Sequence, residues 1–221
     1  MIEKIKFIAI LTILFLSLLL MTSALDAQVG KWEEQLKGDP DNQELLLNLG
    51  RYYHDAASDG DGTSLSCAEE YLSTLLNLDP DNALALVYYG SVLTMKARDA
   101  SSPWDAMDYL ESGFFKMDKA VILAPNEPEV RLLRGINSLH IPEEFQRLYL
   151  ALEDFGAIEE LISNSDQDWG NEFLLPYYFY FGEALTKNGQ ENEAAAKWEK
   201  ICSLDPQSKF AQLAKQRLGV K

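Results

Sequence analysis

Apolar side chains recur every three to four residues through most of the chain, which is the spacing of amphipathic α-helices. No segment alternates apolar and polar residues over a length that would form a strand. The pattern therefore predicts an all-α protein. The predicted helices cover 29–37, 42–57, 65–78, 83–98, 103–123, 127–140, 143–163, 173–187, 190–204 and 207–218.

Four short segments with proline at the second position separate these helices: 39–42, 79–82, 124–127 and 205–208. Proline disfavours the α conformation in the residue before it, so a helix ends there. An Asp or Asn in the segment can then cap the next helix. We interpret all four segments as turns between helices.

Small and large residues recur at fixed spacings between these turns. In the clearest unit, Leu175 to about Ser208, Gly182 and Ala194 are small and Trp198 is large. Small residues let two helices approach closely, and large residues fill the space between neighbours. At these positions the chain resembles the tetratricopeptide repeat (TPR), a helix-turn-helix unit of about 34 residues. The matching residues are Tyr178, Phe181, Gly182, Leu185, Gly189, Ala194, Trp198 and Pro206.

The same pattern fits two earlier segments that carry insertions of six and eleven residues. In all three copies the second small residue lies 12 positions before the proline. We expect the extra residues in the turns between helices, where solenoids tolerate insertions. The matching residues are Leu46, Leu49, Gly50, Tyr53, Ala68, Leu72 and Pro80, then Leu86, Tyr89, Gly90, Leu93, Gly113, Met117 and Pro125.

The segment from Pro125 to residue 174 departs furthest from the pattern. It keeps Gly135 and Phe155 but has Arg131 and Arg134 where apolar residues belong. Its assignment as a repeat rests on its position and length. The arginines predict either a solvated or mutually paired charged face, or a docking patch for an acidic partner or a second subunit.

The resemblance implies a right-handed α-solenoid of antiparallel helix pairs with about four repeats. The helix at 29–37 would be half a repeat, the helix at 207–218 a polar capping helix, and one domain would span 25–221. It also implies a non-catalytic scaffold without a cofactor, which holds a protein or peptide partner in a concave groove built from the first helix of each repeat. The groove residues so implied are Arg51, His54, Asp55, Ser91, Thr94, Met95, Ile136, His140, Phe179, Glu183 and Lys187. Among them we expect Met95, Ile136 and Phe179 to be partly exposed.

The first 24 residues have the order of a secretory signal peptide. Lys4 and Lys6 precede an uncharged apolar run, Phe7–Met21, and small residues follow it. The run is shorter than the roughly 20 residues that cross a bilayer core. We therefore expect cleavage after Ala24, or as second choice after Ala27, a mature chain without a membrane span, and a periplasmic or secreted location.

The net charge of the chain limits the class of molecule that it can bind. The chain has 35 acidic and 19 basic residues, for a formal charge of −16. Such a chain repels the phosphate backbone, so nucleic acid is excluded as an expected partner. A protein partner, or a second copy of the chain, is compatible with this charge.

Residues with catalytic or metal-binding chemistry are sparse. His54 and His140 are the only histidines of the sequence. Neither has a partner at metal-binding spacing on its helix. His54 and Asp55 should point to different sides of their helix, so no dyad is expected. The acidic segment 59–64 resembles a calcium loop of the EF-hand type, but both alignments lack a required glycine or ligand. A solvated loop and a calcium site both stay open, and no other metal site is expected.

Two other function classes stay open. A small-molecule carrier, or an accessory subunit of a periplasmic transporter, would use the aromatic residues of the fourth and eighth predicted helices. An enzyme is disfavoured because no polar side chains converge in the sequence as a catalytic site requires. The aromatic residues concerned are Tyr88, Tyr89, Tyr177, Tyr178, Phe179, Tyr180 and Phe181.

Overall fold

The computed structural model describes residues 27–219, which are helical apart from their connections and contain no strand. The predicted signal segment lies outside these residues and stays a prediction. None of the described helices is both long and apolar enough to cross a membrane. The helices are α1 (within 27–38), α2 (Gln43–Ser58), α3 (Ser64–Leu78), α4 (Ala83–Asp99), α5 (Pro103–Leu123), α6 (Pro128–His140), α7 (Leu148–Ser163), α8 (Gly170–Lys187), α9 (Glu191–Leu204) and α10 (Lys209–Arg217).

The proline segments form the predicted turns, and three of them cap the next helix. The side chains of Asn42, Asn82 and Ser208 accept hydrogen bonds from backbone N–H groups in the first turns of α2, α4 and α10. Glu127 precedes α6 in the same way but makes no side-chain capping bond. The pattern of turns and caps is therefore confirmed in the part of the chain described.

We expect Asn82→Ala to destabilise the protein by about 1 kcal/mol, the usual cost of losing a helix cap. The Asn82 Oδ1 atom accepts the Ala85 N–H at 3.0 Å. Glu127→Ala at the equivalent position of α6 should change the free energy of unfolding little. Thermal or urea denaturation of both variants measures the difference. Equal losses would show that the side-chain cap contributes nothing.

Most of the extra residues do not lie in the turns, so this prediction was wrong for most of them. The connection between α4 and α5 is only residues 100–102, and the connection between α2 and α3 is residues 59–63. Ser102 caps α5 and Pro103 occupies its first position, so the helix begins ten residues before Gly113. Most of the eleven extra residues therefore lengthen α4 and α5 by additional turns.

The helix predicted at 143–163 is interrupted near its start. Residues Glu143–Phe145 form a short 3-10 helix, and Gln146 follows with φ of 53°. A left-handed conformation at Gln146 stops the helix. The main helix α7 then begins at Leu148.

The helices form two compact units, one ending at Leu78 and one beginning at Asp79. In the first unit, α2 packs against α3, and Tyr53 of α2 donates a hydrogen bond to Glu33 of α1 at 2.6 Å. In the second unit, α4 packs against α5 and α6, α6 against α7 and α8, and α8 against α9 and α10. A single domain over 25–221 stays a prediction.

In each helix pair a glycine of the first helix faces a large side chain of the second. A Cβ atom built on each of these glycines would come within 2.6–2.9 Å of that side chain. The distances are 2.6 Å for Gly50 and Leu72, 2.6 Å for Gly90 and Met117, 2.9 Å for Gly135 and Phe155, and 2.7 Å for Gly182 and Trp198 Cε2. Real Cβ atoms do not approach a neighbour so closely, so any larger residue would require the facing side chain or its helix to shift. The Gly135–Phe155 pair shows that the divergent segment is a repeat of the same kind.

Buried ion pairs explain the arginines of α6. Arg131 and Arg134 donate to the carboxylate of Asp154, which is fully buried, at 2.7–2.9 Å. Asp118 of α5 accepts from Arg134 and from Arg147, so the cluster joins α5, α6 and α7. We name these residues, with Glu153, the arginine cluster. The mutually paired interpretation is confirmed, and Arg134 is too buried to serve as an open docking patch.

Candidate partner-binding site

The first helices of consecutive repeats meet through polar side chains in the second unit. Asn137 of α6 donates to Ser91 Oγ at 3.1 Å and accepts from Thr94 Oγ1 at 2.8 Å, both on α4. In the first turn of the same helix, Glu129 accepts from Tyr88 at 2.6 Å. These bonds fix the register of α4 against α6.

A cavity of about 420 Å³ opens beside this contact, at the C-terminal turns of α4 and α6. Its position depends on the lengthened helix α4, because Ala97 and Arg98 lie in the added turn of that helix. The chain beyond α6 closes one side. The lining residues are Thr94, Met95, Ala97, Arg98, Leu110, Asn137, His140, Ile141 and Pro142.

The structure brings three of the eleven predicted groove residues together at this cavity. They are Thr94, Met95 and His140. His140 is exposed, its Nδ1 atom lies 2.8 Å from the Ile136 carbonyl oxygen, and its ring meets that of Tyr180 edge-on. The ring of His140 is thus placed between α6 and α8.

Two other predicted residues are tied to neighbouring helices in the second unit. Lys187 donates to the carbonyl oxygen of Leu139 at 2.7 Å, and Glu183 accepts from Arg217 at 2.5 Å. Both side chains lie on the same series of first helices. Their contacts show that they link α8 to α6 and to α10.

Three predicted groove residues are buried: His54, Ser91 and Phe179. The expectation that Phe179 is partly exposed is wrong, because its ring packs against Phe210 of α10 with centroids 5.6 Å apart. Met95 and Ile136 are half-buried, as expected.

His54, Arg51 and Asp55 all lie on α2 in the first unit. The expectation that His54 and Asp55 point apart is also wrong, since His54 Nδ1 lies 2.9 Å from Asp55 Oδ1. An imidazole Nδ1 lies near its own backbone, within reach of a short carboxylate on the next residue. The contact joins a buried ring to an exposed carboxylate.

The arrangement of helix pairs matches a solved TPR structure. The crystal structure of TTC0263, a thermophilic TPR protein of Thermus thermophilus, matches with a TM-score of 0.68 at 18% sequence identity, over 88% of this chain and 91% of that chain. This chain has the tetratricopeptide-repeat fold. Two crystal structures of MamA also match, each with a TM-score of 0.49. One is 20% identical over 83% of this chain and 84% of that chain, and the other is 21% identical over 80% and 86%. No protein-family model matches this sequence, and no curated protein matches it.

On the TPR fold, the acidic segment 59–64 comprises the connection between the helices of one repeat, 59–63, and the first residue of α3. Asp61 Oδ1 accepts from the N–H and hydroxyl groups of Thr63, and its Oδ2 accepts from Ser64. These hydrogen bonds hold the pKa of Asp61 below its usual value. Among residues 27–219, no group of three His, Cys, Asp or Glu side chains is placed to hold a metal ion.

Sequence reasoning missed several residues of the TPR cavity, including Asn137, Arg98 and Leu110. Asn137 is a polar residue within the apolar pattern of α6, and such a position signals a hydrogen-bonded contact between helices. Arg98 could not be found from the repeat pattern, because it lies in the added turn of α4. Leu110 was missed because it lies on the second helix of its repeat, and the groove was assigned to first helices only.

Proposed function

We propose that this protein is a non-catalytic scaffold that binds a peptide segment of a protein partner at the face of α4 and α6, outside the cytoplasm. The observation that carries the proposal is the cavity at Thr94, Met95 and His140, on the first helices of consecutive repeats. The TPR fold supports a protein partner, because its repeats present side chains in series to an extended ligand.

The cavity has the chemistry of a peptide site. Met95, Leu110 and Ile141 offer apolar surface for one anchoring side chain, and Asn137 and His140 lie among them with polar groups. Partner-binding surfaces use this combination of an apolar centre and a polar rim. The flexible thioether of Met95 can adapt to anchors of different shape.

A photo-reactive amino acid at Met95 should crosslink the partner in living cells, and mass spectrometry should identify the crosslinked segment. The same amino acid at Tyr149, which is exposed on α7, is the control and should not capture that segment. A synthetic peptide of the segment then allows affinity to be measured with purified protein. Equal capture from both positions would contradict the proposed site.

We expect Arg98→Ala to leave the melting temperature almost unchanged, since its side chain is about two-thirds exposed and pairs with the exposed Asp99 on the surface. Peptide affinity should fall by about 10-fold, which corresponds to roughly 1.4 kcal/mol. Met95→Glu should reduce affinity further, because it buries a charge in the apolar part of the cavity. Unchanged affinity in both folded variants would reject the site.

Export is a separate part of the proposal and has its own test. The uncharged run Phe7–Met21 and the small residues after it support cleavage near Ala24. N-terminal sequencing of the accumulated protein should then begin at Leu25. Intact Met1 in the purified protein would contradict export by cleavage.

The volume of the cavity also favours a second candidate, a small-molecule carrier. Pockets for small ligands begin at roughly 300 Å³. At about 420 Å³, this cavity is large enough for such a ligand. Native mass spectrometry of protein taken directly from cells distinguishes the candidates. A bound mass in the small-molecule range supports a carrier, and a bound peptide or protein supports the scaffold.

A further inference from the structure

Helix α5 exposes a stripe of large apolar side chains. Trp104 is 85% exposed, Phe115 71% and Ile122 78%. Met107 and Leu123 flank them and are also exposed. We name these five residues the α5 stripe. Several large, exposed apolar side chains on one helix indicate an interaction surface.

Helix geometry places the three most exposed residues of the stripe on one line. Each residue turns an α-helix by about 100°, so steps of 11 and 7 residues return to nearly the same face. Trp104, Phe115 and Ile122 are separated by these steps. At about 1.5 Å per residue, the stripe runs roughly 27 Å along the helix.

The charges beside the stripe change sign along α5. Asp105, Asp108 and Glu111 lie in the first half, and Lys116 and Lys119 lie in the second half. In the second half, Asp118 is already neutralised by Arg134 and Arg147. Helix α5 therefore has an acidic first half, and Lys119 is a partly exposed cation of its second half.

The two lysines are held by their own chain. Lys119 Nζ contacts Asp81 Oδ1 at 2.6 Å and donates to the carbonyl oxygen of Pro80, and it remains one-third exposed. Lys116 lies over the ring of Tyr89 at 4.9 Å. A carboxylate from another molecule can approach the partly exposed Lys119, whereas Lys116 is turned toward α4.

We propose that the α5 stripe binds the α5 stripe of a second copy of this chain, with the two helices antiparallel. When Trp104 lies opposite Leu123, Asp108 lies opposite Lys119, and Ile122 comes within one residue of the other copy's Trp104. The two Phe115 rings then meet near the two-fold axis, because residue 115 lies close to the midpoint of this register. A two-fold interface requires such self-complementarity, and antiparallel pairing supplies it for both the apolar and the charged residues.

Other occupants match this surface less well. A uniformly basic helix would be attracted to the acidic first half of α5 and repelled by the second half. Anionic lipid would be repelled by a protein with a formal charge of −16. A parallel second copy would place Asp108 opposite Asp108 and Lys119 opposite Lys119.

The expected dimer is of moderate affinity. Burial of two stripes removes on the order of 1,000 Å² of surface, near the lower end for specific interfaces. We therefore expect a concentration-dependent equilibrium between monomer and dimer.

The protein should be purified as cells accumulate it. Sedimentation equilibrium of this protein should show the dimer. Trp104→Asp and Phe115→Asp should each raise the dissociation constant by at least about 30-fold, the effect of losing a hot-spot side chain. Tyr149→Asp is the matched control, because Tyr149 is an aromatic residue 65% exposed on another helix. Its dissociation constant should not change.

Cysteine pairing tests the orientation. In a background where Cys67 and Cys202 are changed to serine, Asp108→Cys and Lys119→Cys proteins are mixed in equal amounts and oxidised. Antiparallel pairing predicts that the disulfide between the two different variants predominates. Disulfides of each variant with itself would instead show parallel pairing and overturn the proposal.

A mass that stays monomeric up to about 0.5 mM would also overturn the proposal, since it excludes any dimer of functional affinity. So would a dimer that Trp104→Asp and Phe115→Asp leave intact, because its interface would lie elsewhere. These outcomes do not bear on the cavity at Met95, which is tested by peptide affinity.

Discussion

Asp154→Ala is expected to destabilise the protein by about 3–5 kcal/mol, the largest effect that we predict for one side chain. The carboxylate of Asp154 is fully buried and accepts three hydrogen bonds from Arg131 and Arg134. Desolvation raises the pKa of Asp154, whereas the hydrogen bonds and charges of the two arginines lower it. Without this carboxylate, the buried guanidinium group of Arg134 has too few hydrogen-bond acceptors.

Glu153→Ala is the matched control, since Glu153 is the preceding residue and contacts the same arginines. Its side chain is 57% exposed and lies 3.4 Å from Arg134 and 3.8 Å from Arg131. Loss of so exposed a carboxylate should cost at most about 1 kcal/mol. Urea unfolding of the two variants measures the contrast. Similar losses of unfolding free energy in both variants would show that the buried ion pairs of Asp154 stabilise the protein no more than the exposed ones of Glu153.

Gly182→Leu is expected to cost about 3 kcal/mol, at the upper end of the range for overpacking. A Cβ atom at Gly182 would lie 2.7 Å from Cε2 of Trp198, a buried ring that cannot move freely. Trp198 also donates from Nε1 to the carbonyl oxygen of Phe179 at 3.3 Å. Separation of α8 from α9 to admit leucine would break this bond.

The control for this variant is Gly156→Leu, a glycine in the middle of α7. No heavy atom of the described residues beyond its own helix backbone lies within 4 Å of a Cβ atom built there. Leucine has a higher helix propensity than glycine by up to about 1 kcal/mol, so stability should stay equal or rise slightly. Thermal melts that show equal losses at both glycines would contradict the repeat packing.

The fold could be predicted because its main determinants are local. Glycine at one position and a large residue in the next helix recur at a spacing that survives insertions. Proline and asparagine mark the turns with their own backbone preferences. Even the divergent repeat kept Gly135 and Phe155, and the structure shows them in contact.

What sequence reasoning missed depends on contacts between distant residues. Phe179 is buried because α10 brings Phe210 against it, and the helical pattern of α8 alone does not show which neighbour covers it. The same holds for Arg134, which an alignment of repeats places at an apolar position. Its burial requires Asp154 from the next helix, a pairing that no spacing within α6 predicts.

Only part of the candidate site could be predicted, because some of its residues lie outside the pattern used to assign the groove. Thr94, Met95 and His140 follow from the repeat register, whereas Arg98 belongs to a turn that the repeat does not contain and Leu110 lies on a second helix. The sequence indicated where extra residues were inserted. It did not show that these residues continue the helices and thereby form one wall of the cavity.

The arginine cluster also limits how the repeats can be ordered. Repeats that join only through apolar side chains are close to interchangeable modules, because each neighbour offers a similar surface. Here Asp118 of one repeat accepts hydrogen bonds from Arg134 and Arg147 of the next. A repeat without a carboxylate at that position could not precede α6 without leaving charge unbalanced. The arginine cluster thus fixes the order of these two repeats along the chain.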